Sequence, residues 1–130
     1  MLEYIGVFLV AGVLGWFVDS AYRSAIDGKL TSNTYFSFFS VVYGLGAVIL
    51  TAFFRSSTAS VWEDVIFGGV LCTMLELGSG IFCERMLHVR LWDYSKNPLN
   101  FEGYIDFVHT TYWFLLTALA RGVYEMIPFI

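Results

Sequence analysis

The sequence predicts an all-α fold: an integral membrane bundle of four transmembrane helices. The first observation is compositional. The 130-residue chain is 58% hydrophobic and only 14% charged, with a mean hydropathy of +0.69, whereas a soluble domain carries about a quarter charged residues. A chain this short has too much surface for its volume to hide so many apolar side chains in one core, so lipid is the expected solvent. The second observation is patterning. The apolar residues fall into four continuous runs, residues 2–26, 35–54, 61–87 and 104–127, each close to the roughly 20 residues that cross a hydrocarbon core as a helix. Continuous rather than alternating hydrophobicity disfavours a β-barrel. Backbone groups in lipid have to be satisfied within the segment, which leaves the helix. One domain is expected, with no soluble module.

The punctuation between runs supports each element. No basic stretch precedes the first run and no small-residue cleavage pattern follows it, so it is read as a retained helix. Asp27-Gly28 marks the turn that ends it. Ala11-x-x-x-Gly15 in the first helix and Ser40-x-x-x-Gly44 at the second provide small surfaces for close approach, and Gly44 and Gly46 make the second helix locally thin. Ser60-x-x-Glu63 is a capping box for the third helix. Glu63 and Asp64 then sit in its first turn and Arg85 in its last, as the helix dipole favours. Along this helix Gly69, Glu76 and Cys83 recur at sevens, with Cys72, Thr73 and Gly80 beside them. That stripe should face other helices, leaving Ile66, Val70, Met74 and Ile81 toward lipid. Cys72 and Cys83 stand roughly 16 Å apart along one helix axis, too far for a disulfide. Asn97-Pro98 keeps any helix from running through the loop before the fourth run.

The net charge is −4 and the seven basic residues are scattered, so no basic patch for nucleic acid is present. Arg23, Lys29, Arg85, Arg90 and Lys96 flank the two long loops, against Arg55 and Arg121 on the other side. The positive-inside rule then places the long loops in the cytoplasm and both termini outside, most simply across the plasma membrane.

Glu76 is the strongest chemical signal, because a carboxylate at membrane depth is costly without partners. Arg23, Tyr43, His109, Thr110, Thr111 and Tyr112 are the candidates. One reading is a hydrogen-bonded acid that ties helices together. The other is a proton- or cation-binding group in a polar path. Asp19 has Arg23 at i+4, a spacing that forms a local ion pair; otherwise it joins Glu76 or Glu84 in an interhelical site. Glu84 and His88 share i, i+4 spacing, but a metal needs more ligands than this pair supplies, and none is assigned. His109 reads as a buried hydrogen-bonding residue. The loop core, Trp92-Asp93-Tyr94-Ser95 followed by Asn97-Pro98-Leu99-Asn100, combines interfacial rings with turn-forming side chains. It is either an interfacial cap or a binding loop. No G-x-x-x-x-G-K-[ST], H-E-x-x-H or G-x-S-x-G occurs, so no cofactor is expected.

Four patches in order resemble the family described as putative ABC-transporter type IV, also called CmpB-like. Gly15-Trp16-x-x-Asp19 resembles its G-W-x-x-E, with Asp in place of the longer Glu. Tyr43-Gly44-Leu45-Gly46-Ala47 resembles Y-G-x-G-A, and Glu76-x-x-x-Gly80-x-x-x-Glu84 resembles E-x-x-x-G-x-x-x-E. Trp92-Asp93-Tyr94-Ser95, Pro98, Asn100, Gly103 and Ile105 resemble W-D-Y-S-x-x-P-x-N-x-x-G-x-I. The resemblance implies a small polytopic protein linked to transport. It also implies a separate nucleotide-hydrolysing chain, since none is encoded here.

Three functions remain open on these grounds. The first is a transporter or channel-like component, oligomeric because four helices enclose little volume, with Asp19, Tyr43, Glu76, Glu84 and His109 at its site. The second is an intramembrane enzyme acting on a lipid. The third is a non-catalytic assembly subunit of a larger membrane complex.

Overall fold

The computed structural model describes residues 1–28 and 34–127. Lys29, one of the five residues in the charge count, lies outside them. The described residues form four α-helices and no strand: α1 (Leu2–Asp27), α2 (Val41–Ser56), α3 (Val61–Met86) and α4 (Phe107–Met126). The chain divides into two compact units, Met1–Val48 and Ile49–Ile130, so α2 contributes its first half to one and its second half to the other.

In the first unit, α1 ends where Gly28 adopts φ +67° and donates its backbone N–H to the Ser24 carbonyl at 3.0 Å, the left-handed cap that glycine tolerates without cost. The second helix starts at Val41, six residues later than the apolar run suggested. Residues 36–39 turn through an isolated bridge between Phe36 and Phe39, and Phe38 has φ +60°, so apolar side chains here belong to a turn. The Ser40 N–H donates to the Gly12 carbonyl at 2.9 Å. The contact depends on glycine: a Cβ on Gly12 would overlap the Phe39 ring, and one on Gly15 would overlap the Tyr43 ring. Gly44 sits 2.8 Å, on the same measure, from the Phe8 ring.

In the second unit α3 packs against α4. The capping box at Ser60 and Glu63 is present, with Ser60 N–H donating to the Glu63 carboxylate at 2.8 Å. Gly69, Cys72, Thr73, Glu76 and Gly80 are buried, Cys83 is half-buried, and Ile66, Val70 and Met74 are exposed. Gly68 lies beside Leu50 and Thr117, and Gly69 beside the Phe114 ring, so both glycines give space to neighbouring side chains. Both cysteines are free. The last helix starts at Phe107 because Asp106 caps it, accepting from the His109 N–H at 2.7 Å. Tyr104 and Ile105 belong instead to the preceding loop.

Among the described residues two helices, α1 and α3, are long and apolar enough to cross a membrane. Only 17% and 33% of their most apolar windows are buried. A core helix of a soluble protein would be mostly covered, whereas these helices present apolar side chains outward. The apolar α2 has 16 residues, roughly 24 Å of helix.

Candidate functional site

Residues 87–106 form an ordered loop whose side chains close its own backbone and grip α3. The Trp92 indole N–H donates to the Tyr104 carbonyl at 2.9 Å. The Asp93 carboxylate accepts from the Ser95 N–H at 2.9 Å, and that bond holds its carboxyl below the ordinary carboxylate range. Asn100 donates to the carbonyls of Ser95 and Asn97 and accepts from the Gly103 N–H at 3.0 Å. Pro98 stands in the exposed turn between these anchors. Gly103 is required twice over: it has φ +76°, and a Cβ there would meet the Asp93 carboxylate and the Arg90 guanidinium. Gly80 on α3 leaves room for the loop, since a Cβ would come within 2.9 Å of Tyr104 and 3.3 Å of Trp92.

Glu76 lies under this loop. It is buried, roughly 15 Å along the axis from the C-terminal end of α3. Its Oε1 accepts from the Tyr94 hydroxyl at 3.0 Å and its Oε2 from the Trp113 indole N–H at 2.8 Å. One donor comes from the loop and the other from α4, so the carboxylate joins three segments. Sequence reasoning named neither donor as its partner. The sequence marks Tyr94 as an interfacial ring and does not single out Trp113. The missed signal is a stripe on α4, His109, Trp113, Thr117 and Arg121 at steps of four, which puts them on one helical face.

The Tyr94 ring stacks on His109, with centroids 3.9 Å apart and planes at 9°. His109 Nδ1 lies 2.7 Å from Asp106 Oδ1. A carboxylate only accepts, so Nδ1 carries the proton. Asn97 donates to the other Asp106 oxygen. His109 thus reaches Glu76's partner Tyr94, and buried Asp106 joins the site although the sequence does not single it out. Its position just before a helix start was the available signal.

Glu84 belongs to a more exposed group. It accepts from the Tyr104 hydroxyl at 2.6 Å and pairs with Arg90 at 3.3 Å, while the Arg90 guanidinium lies 4.8 Å from the Tyr104 ring centroid. The bond to Glu84 raises the Tyr104 hydroxyl above its ordinary 10.0. Glu84 and His88 do not share a helical face, because α3 stops at Met86 and His88 has φ +55°. In the first unit, Asp19 pairs with Arg23 at 3.2 Å, Tyr43 covers Gly15, and Trp16 packs on Phe38 with centroids 4.7 Å apart. Gly44 and Gly46 are buried on α2. No group of three or more His, Cys, Asp or Glu among the described residues is placed to hold a metal.

At the other end of α3, Asp64 is fully buried and pairs with Arg121 of α4 at 2.8 Å, while Ser57 donates to its second oxygen. Arg121 also pairs with Glu125 at 2.8 Å and lies over the Phe54 and Tyr124 rings. The sequence assigned Asp64 only to the helix dipole.

The same segments carry the relationship to known proteins. Residues 6–128 match the family described as Putative ABC-transporter type IV. The chain belongs to that family. No curated protein and no solved structure matches it. Membership, together with two uncovered apolar helices, marks this Putative ABC-transporter type IV member as a membrane protein.

Proposed function

We propose that the protein is a four-span membrane transport component in which Glu76 binds and releases a proton or small cation at membrane depth. The observation that carries the proposal is the buried Glu76 carboxylate, held by Tyr94 from the loop and Trp113 from α4. An ionisable group in the interior of a span is costly and characteristically serves a substrate, ion or proton path. Tyr94 and Trp113 are both neutral donors, so release or uptake of a charge at Glu76 changes the hold of the loop on α3.

Two considerations support α2 and α4 as the remaining spans. Residues 57–60 are a short connection, so α2 returns the chain to the membrane face from which α3 starts. Packing of α4 along α3 supports a parallel course through the same layer. A short helix such as α2 is accommodated by local thinning. The charge distribution supports long loops in the cytoplasm. Identical subunits would close a path with cyclic symmetry, and a separately encoded nucleotide-hydrolysing chain would supply the drive that the family description implies.

Flux into proteoliposomes tests the proposal. Glu76→Gln abolishes coupled flux while preserving helical content; equal flux in both proteins removes Glu76 from the mechanism. Topology is tested on a chain freed of Cys72 and Cys83. Thr58→Cys and Ser95→Cys should label from opposite faces, and labelling from one face rejects the four-span arrangement.

A further inference from the structure

We propose that the Trp16–Ser20 face of α1 binds a diacyl glycerolipid through its ester carbonyls, with the Trp16 indole N–H and the Ser20 hydroxyl as the two donors. The inference stands apart from the reading of Glu76, which lies in the other unit.

Two buried donors on one helix lack acceptors. Among the described residues, neither the Trp16 indole nitrogen nor the Ser20 hydroxyl has a hydrogen-bond partner, although both atoms are fully buried. Ser20 as a whole is only 4% exposed. The two residues stand four apart, so they share one face of α1. Comparable groups elsewhere are satisfied. Trp92 donates to the Tyr104 carbonyl and Trp113 to Glu76. Thr73 and Thr117 settle their hydroxyls on their own helices, one turn back. Ser20 has the same option and does not take it. A buried polar group without a partner has lost its water and gained nothing, so an acceptor supplied by another molecule would offset that loss.

An indole N–H donates only, so the ligand presents an acceptor oxygen. Asp19 lies at i+3 from Trp16, with its carboxylate on Arg23 at 3.2 Å, and it disfavours a phosphate or carboxylate beside it. A neutral carbonyl meets both conditions. Depth selects its source. Residues 5–18 carry no charged side chain, whereas Asp19, Ser20, Tyr22, Arg23, Ser24 and Asp27 follow. That switch sets the hydrocarbon boundary of α1 near Asp19, the level of the membrane's tryptophan belt and of glycerolipid ester groups. A diacyl lipid carries two ester carbonyls on adjacent glycerol carbons, one for each donor. The ring over Trp16 is that of Phe38, with centroids 4.7 Å apart. Phe38 is itself 64% exposed and has φ +60°. A left-handed φ is unfavourable for a bulky side chain, so moving this turn aside relieves strain as it uncovers the indole. The exposed Leu14 and Phe17 of α1 give acyl chains an apolar surface nearby.

The test compares the full chain in bilayers of a diester phosphatidylcholine and of its diether analogue, which keeps headgroup and chains but lacks both carbonyls. Indole nitrogens are isotope-labelled, and the Trp16 signal is identified by its loss in Trp16→Phe. That assignment is needed because Trp62, 78% exposed, also meets lipid. In the diester bilayer the Trp16 indole proton should resonate downfield of its diether position and exchange about fivefold more slowly. With labelled ester carbonyls, magnetisation should pass from the lipid to the Trp16 indole nitrogen. Ser20→Ala is the second variant, a change that fits the space of the parent side chain. It should lower the unfolding temperature in diester bilayers and leave it unchanged or raised in diether bilayers, where it deletes an unsatisfied group. A Trp16 resonance that is the same in both bilayers overturns the proposal, whether water or a second copy of the chain then satisfies the indole. An equal loss from Ser20→Ala in both lipids overturns it as well, because packing alone would produce it. Either result leaves the reading of Glu76 standing, since that reading is tested by flux.

Discussion

Single side chains set the terms at Glu76. Trp113→Phe keeps an aromatic ring, although a smaller one, and removes the indole donor from Oε2; loss of one partner of a buried acceptor costs about 1–3 kcal/mol before the cavity is counted. Thermal unfolding in detergent should show that loss, with the α-helical signal of the folded state unchanged. At Tyr104 the expected effect depends on pH. Its hydroxyl donates to Glu84, which raises its ionisation above the ordinary 10.0. Stabilisation from this bond is therefore fully present below about pH 10 and is lost as pH rises through the raised value. In Glu84→Gln, phenolate absorbance should develop at lower pH than in the parent, and an unchanged titration would show that the contact does not form in solution. Gly103→Ala introduces both a strained φ and a clash with Asp93, so it should release the loop, read as new protease sensitivity between residues 90 and 106.

Helices and the loop meet through paired stripes. On α3 the positions Asp64, Gly68, Cys72, Glu76, Gly80 and Glu84 recur at fours, and on α4 so do His109, Trp113, Thr117 and Arg121. These i±4 rows are the ridges through which helices pack. Thr73 and Thr117 satisfy their hydroxyls on the carbonyl one turn back, each at 2.8 Å, so these two hydroxyls sit in the seam paired within their own helices. Gly80 is where the loop seats on that seam. Gly80→Ala overpacks the contact with Tyr104 and Trp92 and should cost about 1–3 kcal/mol, with loss of the near-ultraviolet aromatic signal preceding loss of helix. Asp106→Ala removes the cap of α4, at about 1 kcal/mol, and also frees Asn97 and His109, so its effect should exceed that of an ordinary cap deletion.

Across the second unit, polar contacts hold both ends of the α3–α4 pair. The loop and Glu76 hold one end, and the Asp64–Arg121 pair holds the other. Removing one partner of a buried ion pair leaves an uncompensated charge, so Arg121→Met alone should destabilise by roughly 3 kcal/mol. The double variant Asp64→Asn/Arg121→Met should recover more than half of that loss in the same unfolding measurement. Additive losses would mean the two charges are not coupled in the folded protein.

What the amino-acid order determines by itself is solvent and secondary structure. Composition and the apolar runs already specify an all-α chain, two of whose helices are long and apolar enough to cross a membrane, because both properties follow from transfer free energy and local backbone hydrogen bonding. The capping box and the Asp27-Gly28 stop were legible for the same reason: their partners lie within a few residues. The turn at residues 36–39 was not, since its aromatic side chains read as span, while the seating of Phe39 and Ser40 against Gly12 is a tertiary contact. The partners of Glu76 were decided by the tertiary structure alone. Tyr94 and Trp113 lie 18 and 37 residues away along the chain, and their hydrogen bonds require α3, α4 and the loop to be in place together. Hydrophobicity is a property each residue carries with it; satisfaction of a buried carboxylate is a property of the groups that folding brings to it.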